Sequence, residues 1–205
     1  MKRILAPSLV LATALTLSAC SDGDASSDHS GMPGMSASES TPTSDDAQDG
    51  ATFNDADVMF AQMMIPHHQQ AIEMSDVILS KEGIDSQITD LATQIKEAQG
   101  PEIAQLNTWL DEWDAPQPDE SEAMDHGSMD GMMSEEDMQG LENAEGAEAG
   151  RLFLEQMIVH HEGAVEMAQT EVEDGANKAA AEMASTIVTT QSSEIQTMED
   201  LLAGM

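Results

Sequence analysis

Phe60-Ala-Gln-Met-Met64-Ile-Pro-His67-His68-Gln-Gln-Ala-Ile-Glu-Met74 returns later in the chain as Phe153-Leu-Glu-Gln-Met157-Ile-Val-His160-His161-Glu-Gly-Ala-Val-Glu-Met167. Within the first copy Phe60, Met64, His67, Ala71, Met74 and Ile78 step by fours and threes, the spacing of a buried seam along one helix. Phe153, Met157, His160, Ala164 and Met167 repeat it. Each copy therefore predicts a helix with a histidine on its interior face, and the two copies hold four of the six histidines.

Working outward, the histidine pairs lie 93 residues apart, and two Gln-x-x-Glu motifs, Gln99/Glu102 and Gln191/Glu194, lie 92 apart. The repeat thus continues into a second helix, with one residue lost between the motifs. Ile88, Ala92, Ile95, Gln99, Glu102, Leu106, Trp109 and Trp113 share one seam there, and Ile187, Gln191, Glu194, Met198 and Leu201 share its counterpart. Each unit, 54–114 and 134–205, reads as a helical hairpin, and two hairpins packed together predict an all-α four-helix bundle. Pro66 and Gly100-Pro101 fall inside these helices and would bend them, whereas the second copy has Val159 and Ser192-Ser193. Ser134-Glu-Glu-Asp137 has the pattern of a capping box opening a short extra helix before Gly146.

Composition agrees with a small helical domain. Hydrophobic residues make up 40% but aromatics only 2%, so the core must be built from aliphatic side chains and the 17 methionines. Residues 1–19 read as an export signal, with Lys2 and Arg3 before an apolar stretch ending in Leu17-Ser18-Ala19-Cys20. That ending is similar to a bacterial lipoprotein signal, which implies cleavage before Cys20, acylation of its sulfur and a membrane anchor. Cys20 is the only cysteine, so there is no internal disulfide and no thiolate for a metal. Residues 20–53 are rich in Ser, Asp, Gly, Thr and Pro and read as a tether from the anchor. Residues 115–133 read as an acidic linker, with Met124, His126, Met129, Met132 and Met133. The formal charge of −34 becomes −36 once Lys2 and Arg3 leave with the signal, which excludes nucleic acid as a partner.

A lone histidine on an apolar seam is most often a satisfied core residue. Here burial is repeated, with Met64 one turn before His67, Met157 one turn before His160, Met74 and Met167 further along, and Gln-x-x-Glu on the partner helix. Burying these polar groups twice is costly unless they bond each other or a cation. Imidazole and thioether without thiolate suit Cu(I), and by the same softness Ag(I), better than zinc or the hard cations. Glu102 and Glu194 are expected to accept the second N–H of the seam imidazoles, with Gln99 and Gln191 beside them as supporting residues. His68 and His161, a fraction of a turn round, either ligate or line the space between hairpins. The cluster around His126 would act as a capture arm for the same ion.

The two hydrophobic-Met-x-x-His-His-x-x-Ala-x-x-Met segments, each followed by Gln-x-x-Glu-Ile, resemble the bacterial family called domain of unknown function 305. The similarity covers residues 54–202 apart from the linker. The resemblance implies a ferritin-like four-helix bundle in the cell envelope and copper binding or copper resistance, with Met64, His67, His68, Met74, Met157, His160, His161 and Met167 as the candidate ligands. A di-iron carboxylate oxidoreductase, the main rival on such a bundle, needs Glu-x-x-His, and Met64 and Met157 stand where those glutamates would be. A third reading is a metal-free interaction module whose buried His–Glu pairs specify the bundle. No nucleophile–base constellation is visible. The sequence therefore predicts a lipid-anchored, extracytoplasmic, non-enzymatic copper protein acting in buffering, resistance or delivery to a copper-transfer partner protein.

Overall fold

Asn54 starts the first helix by accepting the Ala56 and Asp57 amides on its side-chain oxygen, while Asp57 accepts the Asn54 N–H in return at 2.6 Å. This capping box opens α1 (Asp55–Leu79). The structure, a computed structural model, describes residues 52–118 and 130–205. The expected signal, Cys20, the tether as far as residue 51, and Met124, His126 and Met129 lie outside the described residues.

Asp85 caps α2 (Ser86–Glu112), the Ser134/Asp137 box opens the short α3 (Glu135–Asn143), and α4 (Gly146–Asp174) is followed by α5 (Lys178–Ala203), capped by Asn177. Among the described residues there is no strand, and no helix is long and apolar enough to cross a membrane. α1 and α2 continue through Pro66 and Pro101 without a break in helical assignment.

α1 packs on α2 and α4 on α5, and the hairpins meet through α1 against α4, with α3 laid over both. The N-terminus of α1 lies at the far end of α4, where Asn54 donates to the Asp174 carbonyl and Asp57 accepts the Ala176 and Asn177 amides. α1 and α4 are therefore antiparallel. One apolar cluster joins Phe60, Ala61, Met64 and Ile65 to Ala164 and Ala168, together with Leu106, Trp109, Trp113 and Ile187, and Met167 packs against it. The other joins Ala71, Met74 and Ile78 to Phe153, Leu154 and Met157, with Met133, Leu141 and Met198. The histidine motifs lie where the first cluster gives way to the second. Each fully buried Met, Ile or Phe contributes roughly 1.5–3 kcal/mol, against a cost of about 1–3 kcal/mol for an unpartnered buried polar group. Two such clusters can sustain a polar centre between them.

Candidate metal centre

The seam of α1 faces the seam of α4, and this brings His67 onto His160. Their ring centroids are 3.8 Å apart, and both side chains are buried. Among the described residues neither nitrogen of either ring has a hydrogen-bond partner. Burial, reinforced by the neighbouring His68 and His161, pushes the His67 imidazole down to about 3. The Asp130 main chain opposes this slightly by approaching the ring, without forming a hydrogen bond of good geometry. His160 is lowered well below the ordinary range, first by burial and then by His67, His161 and His68. Both rings are therefore neutral at physiological pH, the form in which imidazole offers a lone pair to a metal.

Glu102 and Glu194 do not serve these seam histidines, contrary to the expectation from sequence. They pair with the second histidine of each copy: His68 Nε2 lies 2.8 Å from Glu102 Oε2, and His161 Nε2 lies 2.8 Å from Glu194 Oε2. The reason is helical rotation. One residue along a helix turns the side chain by about 100°, so His67 looks across to the other copy while His68 looks toward its own partner helix. His68 and His161 each keep a buried Nδ1 without a partner, which brings the unpartnered ring nitrogens among the described residues to six. Gln99 and Gln191 are buried beside the glutamates, each with an amide oxygen lacking a donor.

The methionines are grouped across the two copies. Met64 and Met74 flank the histidine pair on opposite sides, in different apolar clusters. Met64 shares its side with Met167 of the other copy, and Met74 shares its side with Met157 and the linker residue Met133. Met132 is buried as well. Antiparallel packing of the two copies produces this exchange, so the two Met-x-x-His turns converge on one place. Among the described residues no group of three or more His, Cys, Asp or Glu side chains is arranged to hold an ion. The donors gathered at the crossing are imidazole nitrogens with thioethers to either side, and these fit a soft cation. A cavity of about 830 Å³ opens elsewhere, lined by Ile84, Ile88, Gly150 and Leu201 among others, and no predicted ligand lines it.

Several residues around this centre have no counterpart in the sequence motif. Gln70 holds the main chain of Met133 from both sides, donating to its carbonyl at 2.9 Å and accepting its N–H at 2.7 Å. Gly163 meets the backbone of Asp130 and Gly131 so closely that a Cβ would lie 2.2 Å from the Asp130 carbonyl oxygen. Asp57 and Glu171 form a buried acidic pair at the far end of α4. Gln70 and Gly163 could have been noticed as the one place where the copies exchange a long polar side chain for none.

Residues 57–202 match the sequence profile described as Domain of unknown function (DUF305). The chain belongs to the DUF305 family. No curated protein matches it. A DUF305 protein from Streptomyces coelicolor, described as secreted, is 35% identical with a TM-score of 0.67, the match covering 73% of this chain and 93% of that one. A DUF305 fragment from Deinococcus radiodurans is 33% identical with a TM-score of 0.66, covering 74% and 98%. CopM in its Cu(I)-bound form is 30% identical with a TM-score of 0.60, covering 72% and 96%, and CopM also has Cu(II)-bound and Ag-bound forms. This DUF305 chain is all-helical over its described residues and is similar in fold to CopM, which has copper- and silver-bound forms.

Proposed function

We propose that this protein is an extracytoplasmic copper-binding protein that holds Cu(I), and Ag(I) by the same donors, in the cell envelope. The observation that carries this reading is the pair of buried, neutral imidazoles, His67 and His160, in contact with each other and with no hydrogen-bond partner on any ring nitrogen among the described residues. A bound soft cation would supply what these lone pairs lack, and would tie the two hairpins together at their crossing. His67 and His160 would be the nitrogen ligands, with Met64 and Met167 on one side and Met74, Met157 and Met133 on the other as thioether donors. His68 and His161, oriented by Glu102 and Glu194, would offer Nδ1 from the flanks. The donor set favours Cu(I). The copper- and silver-bound forms of CopM support the choice of metal.

α1, α2, α4 and α5 are read as a ferritin-like four-helix bundle. Anchoring through Cys20 follows from the lipoprotein-like signal, and the secreted relative supports an extracytoplasmic location. The role is copper buffering, resistance, or delivery to a transfer partner, with no reaction catalysed. A metal-free interaction module is the second reading, favoured by the two buried His–Glu contacts. An iron oxidoreductase ranks below both, because methionine stands three residues before each seam histidine.

Competition with a Cu(I) chelator tests the central site separately from the His126 arm. The full mature chain carrying Met124→Ser, His126→Ser and Met129→Ser is expected to retain Cu(I) at unchanged affinity while losing capacity. Complete loss of binding in that variant would move the site into the linker and overturn the central assignment.

A further inference from the structure

Where the linker rejoins the folded chain, residues 130–133 turn at Asp130-Gly131 and cross the helix pair as a strap. The strap passes between Gln70 and Gly163, which occupy the same position in the two copies, 93 residues apart. On the α1 side Gln70 clamps the Met133 main chain with two hydrogen bonds, both buried. On the α4 side there is backbone contact. A Cβ on Gly131, whose φ is +85°, would lie 2.9 Å from Gly163 Cα and 3.0 Å from the His160 carbonyl oxygen. Asp130 approaches the His67 ring from the same direction. Met132 and Met133 are buried beneath the strap's outer face, and the two histidines below are 0% and 1% exposed.

A backbone can come this close to a helix only over glycine, and a primary amide, with a donor and an acceptor side by side, can satisfy both main-chain groups of a crossing residue at once. The duplicated motif supplies one of each at equivalent positions. We propose that residues 130–133 are a gate over the His67/His160 pair, latched by Gln70 and seated on Gly163, so that an ion reaches the pair only when the latch opens. This rests on the copper reading for its ligand, while the gate itself concerns the accessibility of the two rings.

The two parts are tested separately on the full mature chain. Without metal, diethyl pyrocarbonate modifies unprotonated, reachable imidazoles, and peptide mass spectrometry assigns the modified residue. Gln70→Ala and Gly163→Ala are each expected to raise the modification rate of His67 and His160 by roughly tenfold or more, as loss of two buried hydrogen bonds or of the seat implies. Hydrogen exchange of the core amides of α2 and α5 should not change. With Ag(I) as probe, release to a chelator should accelerate in the same variants by a similar factor. Equal modification rates in wild type and both variants would overturn the gate, and so would a rise matched by exchange throughout α2 and α5. If Gly163→Ala fails to fold, Gln70→Ala alone decides. Absence of Ag(I) binding to wild type would sink the copper reading and leave the modification result standing.

Discussion

A His67→Leu, His160→Leu variant is expected to unfold at a higher urea concentration than the metal-free wild type while binding Cu(I) roughly a hundredfold or more weakly. The stability gain follows from the orphaned rings. Each imidazole is buried with two unpartnered nitrogens, and leaving a buried polar group unsatisfied costs about 1–3 kcal/mol. Leucine has a similar volume and no polar atom, and an apolar cluster lies on either side of the crossing. Replacing both rings should therefore raise stability by about 2 kcal/mol or more, read as a shift in the urea midpoint at constant m-value. The affinity loss follows from removing both imidazoles that meet at the crossing of α1 and α4.

The same experiment separates the two leading functions. If buried histidines served only to specify the bundle, removing them would destabilise the protein and leave Cu(I) binding untouched. His67 and His160 make no such specifying bond, whereas His68 and His161 do. His68→Ala is accordingly expected to destabilise, by about 1–3 kcal/mol, through loss of the Glu102 contact. A double leucine variant that is less stable and still binds Cu(I) at wild-type affinity would favour the interaction module. The opposite pattern, a more stable protein without copper, is what a site that sacrifices stability for binding gives.

Helical period and duplication made much of this legible in the sequence. Phe60, Met64, His67, Ala71, Met74 and Ile78 were expected on one interior seam, and all are buried. What period alone does not carry is which seam meets which. The pattern on α1 was read as facing its own hairpin partner, so Gln-x-x-Glu was assigned to His67. The seam instead faces α4, and the carboxylates belong to His68 and His161. Antiparallel packing then splits Met64 from Met74 and pairs each with the other copy, a relation set by topology. The strap is less legible still, because nothing in the linker sequence separates Met133 from the other methionines of its cluster until Gln70 holds its main chain. Asp57 and Glu171 were hidden for a different reason. Their counterparts by the 93-residue repeat are Gly150 and Ile78, so no duplicated motif marks them.

That pair carries the second large effect. Asp57 is buried, and burial opposes its charge, but the Asn177, Asn54 and Ala176 amides and a bond from Glu171 leave its carboxyl below the usual value. Glu171 is 1% exposed, and burial, helped by the Asp57 carboxylate, pushes it up to about 8. When ionised, its two oxygens have no donor; when protonated, it donates to Asp57. In the unfolded chain Glu171 titrates near 4.5, so from there to about 8 the folded state binds the extra proton. Its stabilising contribution is complete below the lower value and is lost as pH rises, by on the order of 1.4 kcal/mol per pH unit. His67 has the opposite sign. Its pKa falls from 6.5 to about 3 on folding, so the unfolded state binds more protons over that interval and stability rises with pH until about 6.5. His160 acts in the same direction. The metal-free protein is therefore expected to be most stable near pH 6.5, weakening on both sides. Urea midpoints between about pH 7.5 and 8.5 isolate the alkaline limb, where the seam histidines are largely neutral in both states. Glu171→Gln, which can still donate to Asp57 and cannot ionise, should flatten that limb and steepen the acid limb between about pH 4.5 and 6.5, where the Glu171 proton opposes the seam histidines. An alkaline decline of equal slope in Glu171→Gln would remove the shared proton from the account of this end of the fold.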